Sequence, residues 1–324
     1  MEKIVIESPG FLMALKDSGR HAWGIFGVPV SGPADFESAM LGNLLVGNPP
    51  EAAVIEMTLG GGKIRFCGDF VIALTGAPTA CTIDGRRVPM GETLQIRGGE
   101  VLEIATLKKG MKTYLSIGGS LGQSEILGSH SVSLTGGIGR PFACGDILTM
   151  EANPRVAIRR LPDALRDPTK DTGPIRVIRG PEIFPEEACQ ELFSQSFTVS
   201  HQSNDMGLRL EGKAIPHRHR EMISSGVAYG TIQVPPGGQP LIMMADHPVT
   251  GGYPRIAGVI TRDLSRLAQL RPGETLSFVE TTLEKAHREL AAFKDAIREM
   301  SKSDVRVFRI RVRGRVFEVE VEAL

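Results

Sequence analysis

Between Met222 and Ile260 the chain sets an amide, a carboxylate, a hydroxyl and a phenol at the ends of short apolar runs. Gln233 lies inside the run Thr231 to Val234, and Asp246 closes the run Pro240 to Met244. Thr250, Gly251, Gly252 and Tyr253 precede the run Ile256 to Ile260. Polar groups among buried strands are costly unless they are paired or used. Gln233, Asp246, Thr250 and Tyr253 around the bare backbone of Gly251 and Gly252 would make a polar pocket that a ligand could approach closely. The alternative is that Gln233 and Asp246 satisfy backbone groups at a barrel corner.

Such residues need strand ends to position them. Pro235-Pro236-Gly237-Gly238 predicts a tight reversal between the first two runs. Lys3 to Glu7 and Leu12 to Lys16 alternate as short strands, and from Leu59 to Met150 apolar runs are punctuated by glycine. This pattern argues for a barrel or sandwich rather than a sheet of alternating strands and helices. A unit of glycine, acid, one residue and leucine recurs at Gly91–Leu94, Gly145–Leu148 and Gly273–Leu276, each time placing a turn before a strand. One early helix is predicted over 33–46, with Ser31 or Asp35 as its cap, Pro33 in its first turn and Gly47 closing it.

The charged stretch 155–173 reads as a linker between an N-terminal β-barrel domain, 1–154, and a C-terminal one, 174–281. In the tail, 282–324, Leu283, Ala286, Leu290, Phe293, Ile297 and Met300 form the apolar stripe of an amphipathic helix. Val305 to Glu322 then predicts a hairpin about Arg313-Gly314, with Ile310 opposite Phe317, Phe308 opposite Val319 and Arg309 opposite Glu318. The expected fold is mainly β: two barrels with few helices, plus a C-terminal helix and hairpin.

The 324 residues, 41% of them hydrophobic, suffice for two cores, and 37 basic against 37 acidic residues leave no net charge. That balance points away from nucleic acid and from a polybasic membrane surface. Cys67, Cys81, Cys144 and Cys189 form no close pair, so reduced thiols and no metal site are expected, and with no signal or spanning segment the expected location is cytoplasmic. Gly60 to Lys63 lacks phosphate-loop spacing and reads as a corner turn. Gly136 to Arg140 could nest an anion or be an ordinary loop. His217-Arg218-His219-Arg220 reads as a solvated basic loop rather than a metal site.

The pattern SxGVxxGTIQVPPxGQPxxxxAD from Ser224 to Asp246, followed by TGGYPxIAxVIxxDLxxLAQLxPG from Thr250 to Gly273, resembles the allophanate hydrolase subunit 2 family. That family is also called KipA-like or urea amidolyase-related, and includes half of the urea carboxylase carboxyltransferase domain and the C-type chain of 5-oxoprolinase. GVPxSGPAD from Gly27 and NxLVGNPxxAAxxE from Asn43 match its opening motifs, which puts Ser31, Asp35, Asn48 and Glu56 among its polar positions. The resemblance implies cyclophilin-like β-barrels and one part of an enzyme completed by a subunit 1-type, KipI-like partner. The chemistry implied is carboxyl transfer to a urea-like or small amide nitrogen, using biotin on a carrier domain with a biotin carboxylase, or ATP-driven opening of 5-oxoproline with a protein like the A-type chain of 5-oxoprolinase. Amides around Gly118-Gly119 or Gly251-Gly252 would then face an oxyanion, Asp246 or Tyr253 would manage the proton, and Ser129 or Tyr114 would meet them in one cleft. A non-catalytic regulator of the KipA type is the alternative. The sequence departs from the family at Lys112, His130, Asp205 and His247, where arginine is usual, and at Val132 and Pro248, where threonine and glutamine are. His130, Asp205 and His247 are therefore expected near the cleft.

Overall fold

The computed structural model describes residues 1–153, 157–217, 222–302, 306–312 and 315–321. Two antiparallel sheets make up the first half. Seven strands run in the order Gly119–Leu121, Ile147–Ala152, Glu2–Ser8, Lys63–Phe66, Val101–Ile104, Cys81–Ile83 and Arg86–Val88. Five more run in the order Leu12–Lys16, Val54–Thr58, Lys112–Ile117, Phe70–Gly76 and Thr93–Ile96. Ile4, Ile6 and Phe66 from the first sheet and Met13, Met57, Leu74 and Leu115 from the second share one core.

The second half closes into a seven-stranded barrel: Ile175–Arg179, Arg255–Val259, Thr231–Gln233, Leu241–Met243, Gly207–Glu211, Ser196–Val199 and Thr275–Glu280, the last returning in parallel to the first. The recurring glycine unit has a common geometry in both halves. Gly91, Gly145 and Gly273 have φ of 74°, 87° and 88°, values that cost glycine nothing, and each lies two residues before a strand. The expected reversal is also present, with the Gly238 amide donating to the Pro235 carbonyl at 2.9 Å.

Among the described residues four α-helices complete the fold: α1 (Phe36–Leu45), α2 (Glu186–Ser194), α3 (Thr261–Ala268) and α4 (Leu283–Lys302). Helix α1 begins at Phe36 because Asp35, rather than Ser31, caps it, accepting from the Ser38 amide at 3.0 Å and the Ser38 hydroxyl at 2.7 Å. The apolar stripe of α4 docks on its own chain: Phe293 and Ile297 are buried with Leu41, Leu44 and Leu45 of α1, and Arg262 of α3 lies 3.7 Å from the Phe293 ring centre. The tail hairpin has the expected register, pairing Ile310 with Phe317, Phe308 with Val319 and Arg309 with Glu318.

The Arg313-Gly314 reversal, Arg218 to Arg220 of the basic loop, and 154–156 of the charged connection lie outside the described residues. The rest of that connection is laid against the first half, with Leu161 buried beside α1 and its amide on the Gly91 carbonyl at 2.8 Å. The halves are pinned together. Ala34 joins the barrel's core, the Tyr229 hydroxyl donates to the Ala34 carbonyl at 2.7 Å, and Arg271 reaches the carbonyls of Gly110 and Leu107. Among the described residues no helix is long and apolar enough to cross a membrane.

Candidate functional site

Successive side chains on a strand face opposite ways. In the strands Leu12–Lys16, Val54–Thr58 and Lys112–Ile117, this alternation sends Met13, Ile55, Met57 and Leu115 into the core. Lys16, Glu56, Thr58, Lys112 and Tyr114 therefore share the other face, where register sets Lys112 opposite Thr58, and Tyr114 opposite Glu56. The barrel covers this face, so none of the five is more than 6% exposed.

Burying these charges requires partners. The Lys112 ammonium lies 3.0 Å from Glu56 Oε1, 3.0 Å from the Thr58 hydroxyl and 3.2 Å from Asp205 Oδ1 of the barrel. Glu56 Oε2 accepts from the Tyr114 hydroxyl at 2.8 Å and the Ala34 amide at 3.0 Å. Burial lowers the Lys112 pKa, but Asp205 and Glu56 outweigh it and hold the ammonium above the ordinary lysine value. Burial raises Glu56, and Lys112 with Lys16 outweighs it in turn, leaving the carboxyl below its usual value; Asp205 is lowered chiefly by Lys112. Two of the departures from the usual arginines thus pair with each other.

Asp246 is 2% exposed and follows the strand Leu241–Met243. Its amide donates to the Asp205 carbonyl at 2.8 Å, which sets the two acids side by side. Oδ2 accepts from the hydroxyls of Ser133 at 3.0 Å and Thr135 at 3.3 Å. Oδ1 faces the Lys16 ammonium at 3.6 Å and is buried without a hydrogen bond. Lys16, Glu56, Asp205 and Asp246 line a cavity of about 10 Å³, on the scale of one water. Two lysines against three carboxylates give the cluster no surplus positive charge for an anion.

The residues flanking Asp246, Ala245 and His247, line a groove of about 590 Å³ between the two halves. Its walls include Phe36, Met40, Val227 and Tyr229, with Asp17, Glu51 and His21 as polar groups and, among the described residues, no lysine or arginine. Asp17 accepts from the hydroxyls of Ser129 and Ser131 and the amides of His130 and Gly19. Burial raises its pKa, and these hydrogen bonds outweigh burial and hold the carboxyl below its usual value.

The candidate residues separate into groups. Tyr114, Asp246 and Asp205 meet around the two lysines. Ser31 joins through its backbone, its carbonyl 3.5 Å from the Lys16 ammonium and its φ at 61°. Asp35 also receives the Gln269 amide at 2.8 Å, tying α1 to the barrel, and its own amide donates to the Tyr114 hydroxyl at 2.8 Å. Ser129 and His130 belong to the Asp17 network, and His247 lines the groove. Gln233 does not share a hydrogen bond with Asp246 among the described residues. Its amide donates to the Tyr253 carbonyl at 3.2 Å and lies against Gly251, where an added Cβ would sit 2.5 Å from Nε2. Thr250 and Gly251 pair with Gly226 and Ser225 in a short ribbon, Gly252 follows, and Tyr253 is 41% exposed.

Two candidate anion-stabilising elements have other uses. The amides of Gly118 and Gly119 donate to the Val71 carbonyl at 2.7 Å and to Asn48 Oδ1 at 2.9 Å, so neither is free for an oxyanion. In Gly136 to Arg140, the amides of Gly136, Gly137 and Ile138 bond within the loop, and Arg140 forks onto Asp146 at 2.6 and 2.8 Å. That segment is an ordinary closed loop. Lys16, Ser133, Thr135 and Gln269 were not singled out in the sequence; the signal available for Lys16 was a charge at an alternating position of an apolar strand.

The family model "Carboxyltransferase domain, subdomain A and B" matches residues 26–280. The C-type chain of 5-oxoprolinase from Escherichia coli (strain K12) is 35% identical over 289 residues, 86% of this chain and 91% of that protein. The urea amidolyase of Saccharomyces cerevisiae is 30% identical over 312 residues, 87% of this chain and 17% of that protein. Among solved structures, the K. lactis urea amidolyase superposes with a TM-score of 0.83 at 27% identity, covering 97% of this chain and 21% of that one. TTHA0988 does so at 0.79 and 34% identity, and this chain spans 86% of its own length but 55% of TTHA0988.

Proposed function

The chain belongs to the family of carboxyltransferase domains built from subdomains A and B, and from that premise we propose that it is one subunit of a carboxyltransferase or amidolyase-type enzyme acting on a small amide, lactam or urea-like substrate with a subunit 1-type partner. The observation that carries this reading is the Asp246 carboxylate. It is buried at the seam of the two halves, beside the groove, with one oxygen held by two hydroxyls and the other free of hydrogen bonds. Such an oxygen could accept from the N–H of an amide admitted into the water-sized space it lines behind the groove, with Lys16 opposite to steady the charge. The groove's apolar walls and lack of lysine or arginine among its lining residues favour a neutral group over an anion.

The same lining favours one of the two cofactors over the other. Phe36, Met40, Val227 and Tyr229 suit the apolar ring system of biotin presented by a partner's carrier domain, which when bound would supply the carboxyl group. Among the described residues a triphosphate finds no lysine or arginine in the groove, which favours placing the nucleotide of the ATP version on the partner. The Escherichia coli relative, itself one chain of 5-oxoprolinase, supports an enzyme assembled from several chains.

The test is reconstitution with a subunit 1-type partner, followed by assays of carboxyl transfer from an added carboxylated biotin carrier to urea and of ATP-dependent lactam opening. The assembled pair should turn over and this chain alone should not. Asp246→Asn keeps the two hydroxyl contacts but takes a counterion from Lys16, so it should cost about 1–3 kcal/mol of stability, while lowering turnover of the folded complex by roughly 10²-fold or more. Normal turnover by that variant would refute the assignment. A complex inert toward every such substrate would favour the regulatory reading.

A further inference from the structure

The two sheets of the first half end side by side. Arg86–Val88 is the last strand of the seven-stranded sheet and Thr93–Ile96 the last of the five-stranded one, and residues 89–92 join them. Between them lies a groove of about 440 Å³ whose walls carry Arg86, Arg87, Arg97, Arg159 and Arg160 against only Glu92 and Glu100. Glu92 holds Arg160 at 3.0 Å, and Glu100 is 4.0 Å from Arg86. Arg87 and Arg97 are exposed and make no ion pair within 4 Å among the described residues, and Arg159 Nε is buried without a hydrogen bond.

Five guanidinium groups in one concavity repel one another, and in a chain of zero net charge they are not the by-product of a basic composition. Charged side chains on an edge strand can blunt it against self-association, but that role does not require them to converge on a concavity. The backbone adds a second feature. Among the described residues Arg86–Val88 pairs only with Cys81–Ile83, so its outer N–H and C=O groups are available to another strand.

We propose that this groove docks an extended acidic segment of a partner protein, added as a strand along Arg86–Val88. Every second side chain of such a strand faces the same way, so alternating carboxylates would meet the arginines in forked pairs while the backbone completes the ladder. The site is separate from the groove beside Asp246, and the proposal does not depend on the reaction carried out there.

The experiment uses the full chain and a short labelled peptide alternating Glu with Thr, followed by fluorescence anisotropy at low ionic strength and again at physiological salt. Binding should weaken with salt, and a Lys-for-Glu version of the peptide should not bind. Arg87→Glu combined with Arg97→Glu should weaken binding roughly tenfold or more, with circular dichroism and melting unchanged because both positions are exposed. Amides of residues 86–88 should exchange more slowly with the peptide bound. Equal binding by the double variant, or no binding by the wild type, would overturn the proposal. A single-stranded oligonucleotide that binds more tightly than the peptide and loses binding in the same variant would overturn the class of partner.

Discussion

Replacing Lys112 by methionine removes the cation on which two acids from different halves converge. Removing one partner of a buried ion pair costs about 3–5 kcal/mol, because the charge left behind has no counterion. Here Glu56 would keep the Tyr114 hydroxyl and the Ala34 amide, and the Asp205 side chain is 31% exposed, so water can relieve part of the loss. We therefore expect the low end, about 3 kcal/mol at pH 7. With a urea m-value of about 3 kcal/mol per M, that is a midpoint shift of roughly 1 M. The deficit should also depend on pH. Glu56 and Asp205 sit below their ordinary pKa values in the wild type, so their contribution is present above the unfolded values near 4 and is lost as pH falls through the lower folded ones. Methionine at 112 abolishes most of that contribution, so the gap between the proteins should be wide at pH 7 and narrow below about pH 4. Urea unfolding of both proteins across that range decides the matter. A gap under about 1 kcal/mol at pH 7, or one that does not narrow in acid, would refute the reasoning.

Two other perturbations probe the packing around the site. Glu37, against Arg262 of α3, is pushed up to about 7 by burial, which the arginine only partly offsets. From about pH 4.5 to 7 the folded chain keeps a proton that the unfolded chain has released, so stability should fall as pH rises through that window, by up to about 3 kcal/mol. Thermal melts in that window should show a flatter slope for Glu37→Gln, and an identical slope would exclude Glu37 as its source. Gly42→Ala should gain about 1 kcal/mol of helix propensity, yet its Cβ would lie 2.5 Å from Ser116 Oγ and 3.0 Å from Thr75 Oγ1 where α1 presses on the sheet. A net loss of about 1–3 kcal/mol is expected, and a stabilised variant would mean that α1 can lift away.

Features set by neighbours in the chain were legible in the sequence. The turn at Pro235 to Gly238, the left-handed glycines at 91, 145 and 273, the cap at Asp35, the stripe of α4 and the tail register all follow from local backbone preference and side-chain period. The opening motif marked Glu56 as a polar position but could not identify its partners, because Lys112 arrives from a neighbouring strand and Asp205 from the other half of the protein. Gln233 and Asp246 are close in the chain and looked like one site. Yet Gln233 clamps the Tyr253 backbone, whereas Asp246 turns toward Lys16, Ser133 and Thr135. The glycine pair at 118 and 119 was open to a functional reading until strand pairing and Asn48 used both amides. A buried charge is tolerated only where an opposite charge or a donor reaches it, and it is the closing of the barrel over the sheet face, decided by the core as a whole, that brings those groups together.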